Sequence, residues 1–206
     1  MAATHTRCER VPVAANLRHG ELDEVFNADT LAAGDIAHEY GAELKRLWQF
    51  AERLQAARGK ADAEGELQRA EYNFYVDGDR VRIVERKRGT PVDKVVSELM
   101  IFANAEWGRR LAEAGHAAIY RAQTGGGARM TTVPAPHAGL GVAQYAWASS
   151  PLRRYVDLIN QRQLLALLAG EPAPYQPGDE ALLIALRDFE LRARVVELLL
   201  DLGGAG

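Results

Sequence analysis

Apolar side chains recur at intervals of three and four residues between positions 28 and 60, which is the spacing of an amphipathic helix. The recurring positions are Ile36, Tyr40, Leu44, Leu47, Trp48, Ala51 and Leu54. The pattern predicts one long helix that stops near Gly59. Residues 1–28 show only one short apolar alternation and predict an extended N-terminal segment. Because one face of the helix is apolar, we expect that face to pack against a core.

Apolar and polar residues alternate on both sides of Asp77-Gly78, a dipeptide typical of two-residue turns, and predict a β-hairpin. The later pattern predicts a helix that starts near Thr90 or Asp93 and ends just before Gly115, a strand over 117–123, a glycine-rich loop over 124–141, a helix from Pro151 to about Ala169 and a helix over 179–203. This order predicts an α+β fold, with several long amphipathic helices packed on a small antiparallel sheet. Length suggests one domain, at most two, and we expect a single domain over 1–206 with a C-terminal helix within 171–206.

Composition excludes several classes of protein. The chain has 206 residues, of which 48% are hydrophobic, and can bury a core. Basic and acidic side chains number 25 and 28, so the net charge of −3 gives no overall field toward nucleic acids or membranes. The single cysteine, Cys8, excludes an internal disulfide framework, and no apolar run reaches the length of about eighteen residues that a membrane span needs. We therefore expect a globular cytoplasmic protein with no membrane partner.

Residues 150–154, Ser-Pro-Leu-Arg-Arg, would place cations where they are unfavourable. Pro151 is typical of a first helical residue and Ser150 of a helix cap, so both arginines would lie in the first turn, where the helix dipole is already positive. A phosphate or carboxylate bound at this helix end would explain them. A structural ion pair between Arg153 and Asp157, one turn further on, would explain them equally well. The local pattern leaves both interpretations open.

Two other features suit RNA contacts but also have ordinary explanations. Four arginines would line one face of the second hairpin strand. They would either form a track for RNA phosphates or simply face solvent on an edge strand, where basic residues also block edge pairing. They are Arg80, Arg82, Arg86 and Arg88. Glu98 would accept a hydrogen bond from a sugar hydroxyl or base edge, or form an exposed helix pair with Lys94. The five histidines are scattered and the acidic groups fall in predicted turns, so we predict no metal site from them.

The stretch SSPLRRYVDLINQR, residues 149–162, resembles the signature of the ribonuclease II/ribonuclease R, or RNB-type, exoribonuclease family. Three upstream stretches resemble other parts of that family in the same order: RVPVAANLRHGELDEVF, VVSELMIFANAEWGRRL and AAIYRAQ. The resemblance covers nearly the whole chain and implies the C-terminal portion of an RNB-type catalytic domain. Members of the family are processive 3′ to 5′ exoribonucleases that thread single-stranded RNA and release nucleoside monophosphates with the help of magnesium.

The resemblance also implies roles for individual residues. Arg153 matches the arginine that contacts the scissile phosphate and stabilises developing charge. Glu98 matches a glutamate that contacts nucleotides near the 3′ end of the RNA. Ser150, Arg154 and Tyr155 match positions that shape the floor of the site. We therefore expect Arg153 to be catalytic and the other four residues to bind RNA.

Three departures from the family pattern limit this expectation. The aspartate cluster that holds magnesium in the family has no counterpart in this sequence. Ala63 stands where the family often has a base-stacking phenylalanine, and Gln161 replaces the histidine before Arg162. We expect the chain to carry the RNA-channel and arginine half of an exoribonuclease and to be inactive without an N-terminal half, supplied by a separately encoded chain or by a longer parent chain. The alternatives are a non-catalytic remnant that binds RNA or a partner, and a truncated product without a stable fold.

Overall fold

A computed structural model describes residues 4–60, 71–86 and 88–203 of the chain. In these ranges the elements are α1 (His19–Val25), α2 (Ala28–Ala33), α3 (Gly41–Ala57), β1 (Glu71–Asp77), β2 (Arg80–Arg86), α4 (Pro91–Glu113), β3 (Tyr120–Ala122), β4 (Arg129–Thr131), a 3₁₀ helix (Ala138–Leu140), α5 (Tyr155–Ala169) and α6 (Glu180–Gly203). The strands form two antiparallel pairs, β1 with β2 and β3 with β4. The predicted α+β class, with long helices and small antiparallel sheets, is confirmed.

Contacts within the chain define two compact units. The first unit is Pro12–Leu99, and the second consists of Met1–Val11 and Met100–Gly206. The boundary falls inside α4, so this helix contributes its first nine residues to one unit and the rest to the other.

The long helix predicted over residues 28–60 is wrong at its N-terminal end. α2 stops at Gly34, which adopts a left-handed conformation with φ of 73°, and α3 begins only at Gly41. A β-carbon at Gly41 would lie 2.4 Å from the carbonyl oxygen of Ile36, so the chain can fold back between the two helices because this residue is glycine. Ile36 still packs against the same apolar cluster as α3. The extended segment predicted for residues 1–28 is also wrong in part, because it contains α1.

The core of the first unit joins α1, α3 and the start of α4. Its buried apolar members are Leu22, Phe26, Leu44, Ala51, Val92 and Val95. Trp48 packs against this cluster and meets the ring of Phe26 edge to face, with centroids 6.4 Å apart. The Thr90 hydroxyl accepts a hydrogen bond from the Asp93 amide (3.3 Å), which confirms the predicted start of α4.

The predicted hairpin is confirmed. β1 and β2 pair without a bulge from Glu71 opposite Arg86 to Asp77 opposite Arg80. Gly78 turns the chain with φ of 57°, a conformation that glycine adopts without strain. Because side chains alternate along a strand, Arg80 and Arg82 share one face of β2, as predicted.

The core of the second unit consists of two apolar clusters that involve α4, α5, α6 and the β3–β4 pair. Their most deeply buried members include Ile119, Tyr120, Leu111, Val156, Ile159 and Leu182. The predicted ends of α4 before Gly115 and of α5 at Ala169 are confirmed. The loop predicted over 124–141 is wrong in part, because it contains β4 and the 3₁₀ helix. Three residues per strand are too few to leave an alternation in the sequence.

Candidate functional site

Helix α5 begins at Tyr155, so the predicted cap at Ser150 and first helical residue at Pro151 are wrong. The amides of Arg153 and Arg154 both donate to the Ser150 carbonyl oxygen, at 3.2 and 3.1 Å, and close a single turn. Arg154 then adopts an extended conformation (φ −130°, ψ 117°), which separates this turn from α5. The first turn of α5 therefore holds an acidic residue, Asp157, which suits the helix dipole.

Asp157 fastens the turn to α5. Its side chain is fully buried, and its Oδ1 accepts hydrogen bonds from the Ser150 amide (2.8 Å) and from Nη2 of Arg154 (2.7 Å). The Arg154 guanidinium also lies 4.1 Å from the ring centroid of Trp147, a cation–π contact. The structural ion pair considered for Arg153 is thus made by Arg154 instead. The charge of Arg154 is compensated inside the protein.

Arg153 makes neither of the contacts that hold Arg154, the ion pair with Asp157 and the cation–π contact with Trp147. Its side chain is exposed, and its Nη2 donates to the Ser150 hydroxyl at 3.2 Å. Within the described ranges it pairs with no carboxylate. Leu152 is fully exposed and Tyr155 is 57% exposed on either side of the two arginines. The turn therefore presents an uncompensated guanidinium and an aromatic ring to solvent.

Residues 147–149, which lead into the turn, are held by three side-chain amides that we call the amide clamp: Asn104, Asn160 and Gln161. The bonds are Asn160 Nδ2 to the Trp147 oxygen (2.8 Å), Gln161 Nε2 to the Ala148 oxygen (2.7 Å), the Ala148 amide to Asn104 Oδ1 (3.0 Å) and Asn104 Nδ2 to the Ser149 hydroxyl (3.2 Å). Asn104 and Asn160 are fully buried. A buried polar network whose members are satisfied fixes a single conformation, so the clamp holds this irregular segment rigidly.

Arg121 on β3 adds a second cation beside the Trp147 ring. Its guanidinium lies 4.9 Å from the centroid of the Trp147 ring. Burial and the charge of Arg121 together lower the pKa of His137, whose ring also meets Tyr145 edge to face. The sequence placed Arg121 in a strand but assigned it no role. The only signal in the sequence would have been the possibility of a cation–π contact with Trp147, 26 positions further on, which a local pattern cannot show.

Glu98 lies in the first unit and is buried, with 5% exposure. Nη2 of Arg58, at the C-terminal cap of α3, donates a short hydrogen bond to its Oε1. The exposed pair with Lys94, considered from the sequence, is therefore wrong, because the Lys94 ammonium lies 4.8 Å from the Trp48 ring centroid. Among the described residues, Oε2 of Glu98 has no hydrogen-bond partner, although it is buried. Glu98 thus leaves one buried carboxylate oxygen unpaired among the described residues.

The magnesium that the resemblance implies does not fit the described residues. They contain no group of three or more histidine, cysteine, aspartate or glutamate side chains able to hold a metal ion. Among the described residues, the buried carboxylates of Glu98 and Asp157 each accept a hydrogen bond from an arginine, whose positive charge opposes a cation. The Ala63 departure lies outside the described residues. No helix in the part of the chain that the structure describes is long and apolar enough to cross a membrane.

Comparison with known proteins places these features in a family. The model of the RNB domain family matches residues 11–130 and 122–170. Exoribonuclease 2 of Edwardsiella piscicida is 43% identical over 70 residues, which are 34% of this chain and 10% of that protein. Exoribonuclease 2 of Serratia proteamaculans is 47% identical over 62 residues, 30% of this chain and 9% of that protein. The chain thus matches only about a tenth of the length of these curated relatives.

Two solved structures share the fold. The Dss1 exoribonuclease of Candida glabrata, an active-site mutant, superposes with a TM-score of 0.67 at 19% identity, over 85% of this chain and 28% of that one. RNase R of Mycoplasma genitalium, in complex with double-stranded RNA, superposes with a TM-score of 0.51 at 17% identity, over 67% and 35% of the two chains. The family match covers well over half of the sequence and includes the stretches around Glu98 and Arg153. The chain therefore belongs to the RNB-type exoribonuclease family.

Proposed function

We propose that this chain forms the C-terminal portion of an RNB-type catalytic domain and contributes the RNA channel and the arginine of a 3′ to 5′ exoribonuclease. Its substrate in this proposal is single-stranded RNA, released as nucleoside monophosphates by the complete enzyme. Residues 1–206 act as one domain in that enzyme. The single cysteine favours the cytoplasm as its compartment.

Arg153 is the residue that contacts the scissile phosphate in this proposal. The observation that carries it is the contrast between two adjacent arginines: Arg154 is paired with Asp157, whereas Arg153 is exposed on a turn that buried groups hold in place. A guanidinium presented in this way can donate two hydrogen bonds to phosphate oxygens and stabilise charge that develops on them. Ser150, Arg154 and Tyr155 shape the surface around it, and Glu98 contacts nucleotides near the 3′ end.

We also propose that the chain does not hydrolyse RNA by itself. An arginine stabilises a phosphoryl transition state but does not generate the attacking hydroxide, which in metal-dependent hydrolysis comes from a bound metal ion. A separate N-terminal half that carries the aspartate cluster would hold the magnesium and complete the site. Incubation of the purified chain with a 5′-labelled oligoribonucleotide and magnesium should give no mononucleotides. Release of mononucleotides by the chain alone would disprove this part of the proposal.

RNA binding tests the role of Arg153 separately from hydrolysis. In fluorescence anisotropy with the same oligoribonucleotide, Arg153→Ala should weaken binding about tenfold and lower the slope of log K against log salt by about 0.7, the value for one phosphate contact on a single strand. Arg187→Ala, which removes an exposed arginine of α6, should leave both unchanged. Equal losses in the two variants would show that Arg153 is not a specific contact.

The alternative function, a non-catalytic remnant that binds RNA or a partner, has the absence of a carboxylate cluster among the described residues in its favour. It predicts the same effect of Arg153→Ala on binding. The two differ when the chain is mixed with a polypeptide that carries the aspartate cluster of the family. Mononucleotide release that requires Arg153 supports the enzyme half, and binding without release supports the remnant.

A further inference from the structure

Two guanidinium groups lie against the indole ring of Trp147. That of Arg154 is 4.1 Å from the ring centroid, and that of Arg121 is 4.9 Å from it. Since both distances end at the same centroid, the two guanidinium carbons are at most 9.0 Å apart, the sum of the two. Phe189 meets the same ring edge to face, with centroids 5.9 Å apart, and packs it in place. One ring of fixed position thus carries two positive charges.

One of these two charges is compensated within the protein and the other is not. Oδ1 of the buried Asp157 accepts a hydrogen bond from Nη2 of Arg154 at 2.7 Å. Within the part of the chain whose side chains the structure describes, Arg121 is half-buried on the ring and its guanidinium makes neither an ion pair nor a hydrogen bond. Two arginines and one aspartate therefore leave one positive charge in excess beside Trp147.

Packing alone does not explain the second cation. A guanidinium over a tryptophan ring is a favourable contact in itself, but the Trp147 ring already has one in Arg154. Like charges at this separation repel each other, and they do so more strongly on a half-buried ring than in bulk water. An anion bound to Arg121 removes that repulsion, because it compensates the charge that lacks a carboxylate. The arrangement therefore favours a negatively charged ligand.

The chemistry of the contact suits a phosphate. A guanidinium that lies over an aromatic ring keeps N–H groups in its own plane, where they can donate two hydrogen bonds to phosphate oxygens. The Trp147 ring also links Arg121 to Arg154, the direct neighbour of Arg153 in the chain. Single-stranded RNA carries one phosphate per nucleotide, so a strand with one phosphate on Arg153 brings further phosphates to the surrounding surface. Arg121 offers an uncompensated cation for one of them.

We propose that Arg121 is a second phosphate-binding residue of this chain and holds a different backbone phosphate of the RNA strand that Arg153 binds. The inference rests on the proposed function and extends it from one phosphate contact to two. Trp147 positions the guanidinium of Arg121. Asp157 compensates Arg154, so Arg121 is the cation of this ring that receives the anion.

The salt dependence of RNA binding tests the proposal with a matched pair of arginines on one sheet. In fluorescence anisotropy, Arg121→Gln should weaken binding about five- to tenfold and lower the slope of log K against log salt by about 0.7, the value for one phosphate. Arg129 is exposed on β4 opposite Ala122, so its side chain projects from the other face of the sheet. Arg129→Gln should therefore leave both quantities unchanged. Equal losses in the two variants overturn the proposal.

Charge and packing are separated by Arg121→Lys. Lysine keeps the positive charge but lacks the planar fork, so the salt slope should stay at the wild-type value while binding weakens no more than about threefold. A slope as low as that of Arg121→Gln would mean that the residue acts by packing on Trp147, and the proposal would be wrong.

Arg153→Ala distinguishes this inference from the proposed function. The double variant Arg121→Gln/Arg153→Ala should lower the slope by about 1.4, because two phosphate contacts are lost. If Arg153→Ala lowers the slope and Arg121→Gln does not, the second contact is wrong and the proposed function stands. If neither lowers it, both are wrong.

A second measurement uses the wild-type chain and needs no variant to fold. Burial and, after it, the charge of Arg121 lower the pKa of His137. A phosphate on Arg121 compensates that charge, so a saturating single-stranded oligoribonucleotide, added without magnesium, should raise the pKa of His137 in an NMR titration of its imidazole signals. In Arg121→Gln the same oligoribonucleotide should leave this pKa unchanged. An unchanged pKa of His137 in the wild type bound to RNA overturns the proposal.

Discussion

The segment 147–154 and the β1–β2 hairpin are held in place by different kinds of contact. The segment has no strand partner along most of its length, yet buried side chains of α4 and α5 hold its backbone at Trp147, Ala148 and Ser150. The hairpin has a complete ladder of backbone pairs, yet its side chains on both faces are largely exposed. Regular hydrogen bonding thus does not measure how firmly a region is fixed. The irregular segment, which presents Arg153, is the one that the protein builds into its core.

Removal of one member of the amide clamp gives the largest effect that we expect. Asn160→Ala leaves three backbone groups without partners, namely the buried amide and carbonyl of Ile119 and the partly buried carbonyl of Trp147. At about 1–3 kcal/mol for each unsatisfied group, partly relieved by relaxation, the free energy of unfolding should fall by about 3–5 kcal/mol. On the hairpin, Phe74→Ala truncates a residue that is 67% exposed and should cost less than about 1 kcal/mol.

Urea unfolding followed by circular dichroism measures both variants. Gln49→Ala, which removes an exposed amide from α3, provides the control for loss of an amide as such and should change stability by no more than about 0.5 kcal/mol. If Phe74→Ala costs as much as Asn160→Ala, the hairpin is fixed as firmly as the segment and the contrast between the two regions is lost.

The same contrast explains which features could be predicted from the sequence. The hairpin was predictable because its register depends on a local turn at Asp77-Gly78 and on alternation within the two strands that flank it, Glu71–Asp77 and Arg80–Arg86. The environment of Ser150 was not, because its amide bonds to Asp157 on a helix whose start depends on the conformation of Arg154. A Ser-Pro pair predicts a helix start from local preference alone, and tertiary contacts override that preference.

Glu98 illustrates the same limit. Helical spacing correctly placed Lys94 one turn before it, but the ring of Trp48 draws the lysine away and Arg58, forty residues earlier, takes its place. Family resemblance singled out Glu98 and Arg153 without any knowledge of these partners. It could not show that the guanidinium of Arg154 is compensated while that of Arg153 is not. The resemblance therefore points to candidate residues, whereas their electrostatic state follows only from the structure.

The ion pair that fastens the turn should give the next largest effect. Asp157→Ala leaves Arg154, whose side chain is only 16% exposed, without its carboxylate and leaves the Ser150 amide without an acceptor. We expect a loss of about 3 kcal/mol in the free energy of unfolding. Asp157→Asn keeps an oxygen for the Ser150 amide and should lose only about 1–2 kcal/mol.

The matched control for this pair is Asp188→Ala, which removes an exposed carboxylate from its arginine neighbour on α6 and should cost less than about 0.5 kcal/mol. Chemical denaturation of the three variants orders them directly. Asp157→Ala with no greater loss than Asp188→Ala would mean that the turn is held by the amide clamp alone, and the role given to Asp157 would be wrong.

The smallest loss of stability that we expect distinguishes support by a neutral side-chain amide from support by an ionised carboxylate within the second unit. Glu106 accepts hydrogen bonds from Arg109, Arg110 and the Thr4 hydroxyl, and these contacts, chiefly that of Arg109, lower the pKa of its carboxyl from 4.5 to about 2. Because the folded-state pKa is depressed, the stabilisation is complete above pH 4.5 and is lost as the pH falls from 4.5 toward 2. Glu106→Gln should therefore cost roughly 1–2 kcal/mol at pH 7 and progressively less below pH 4.5. The loss caused by Asn160→Ala involves no titrating group and should stay constant over the same range. Urea unfolding of both variants between pH 7 and pH 3.5 distinguishes the two kinds of support, and a pH-independent effect of Glu106→Gln would show that its carboxylate acts by packing and not by charge.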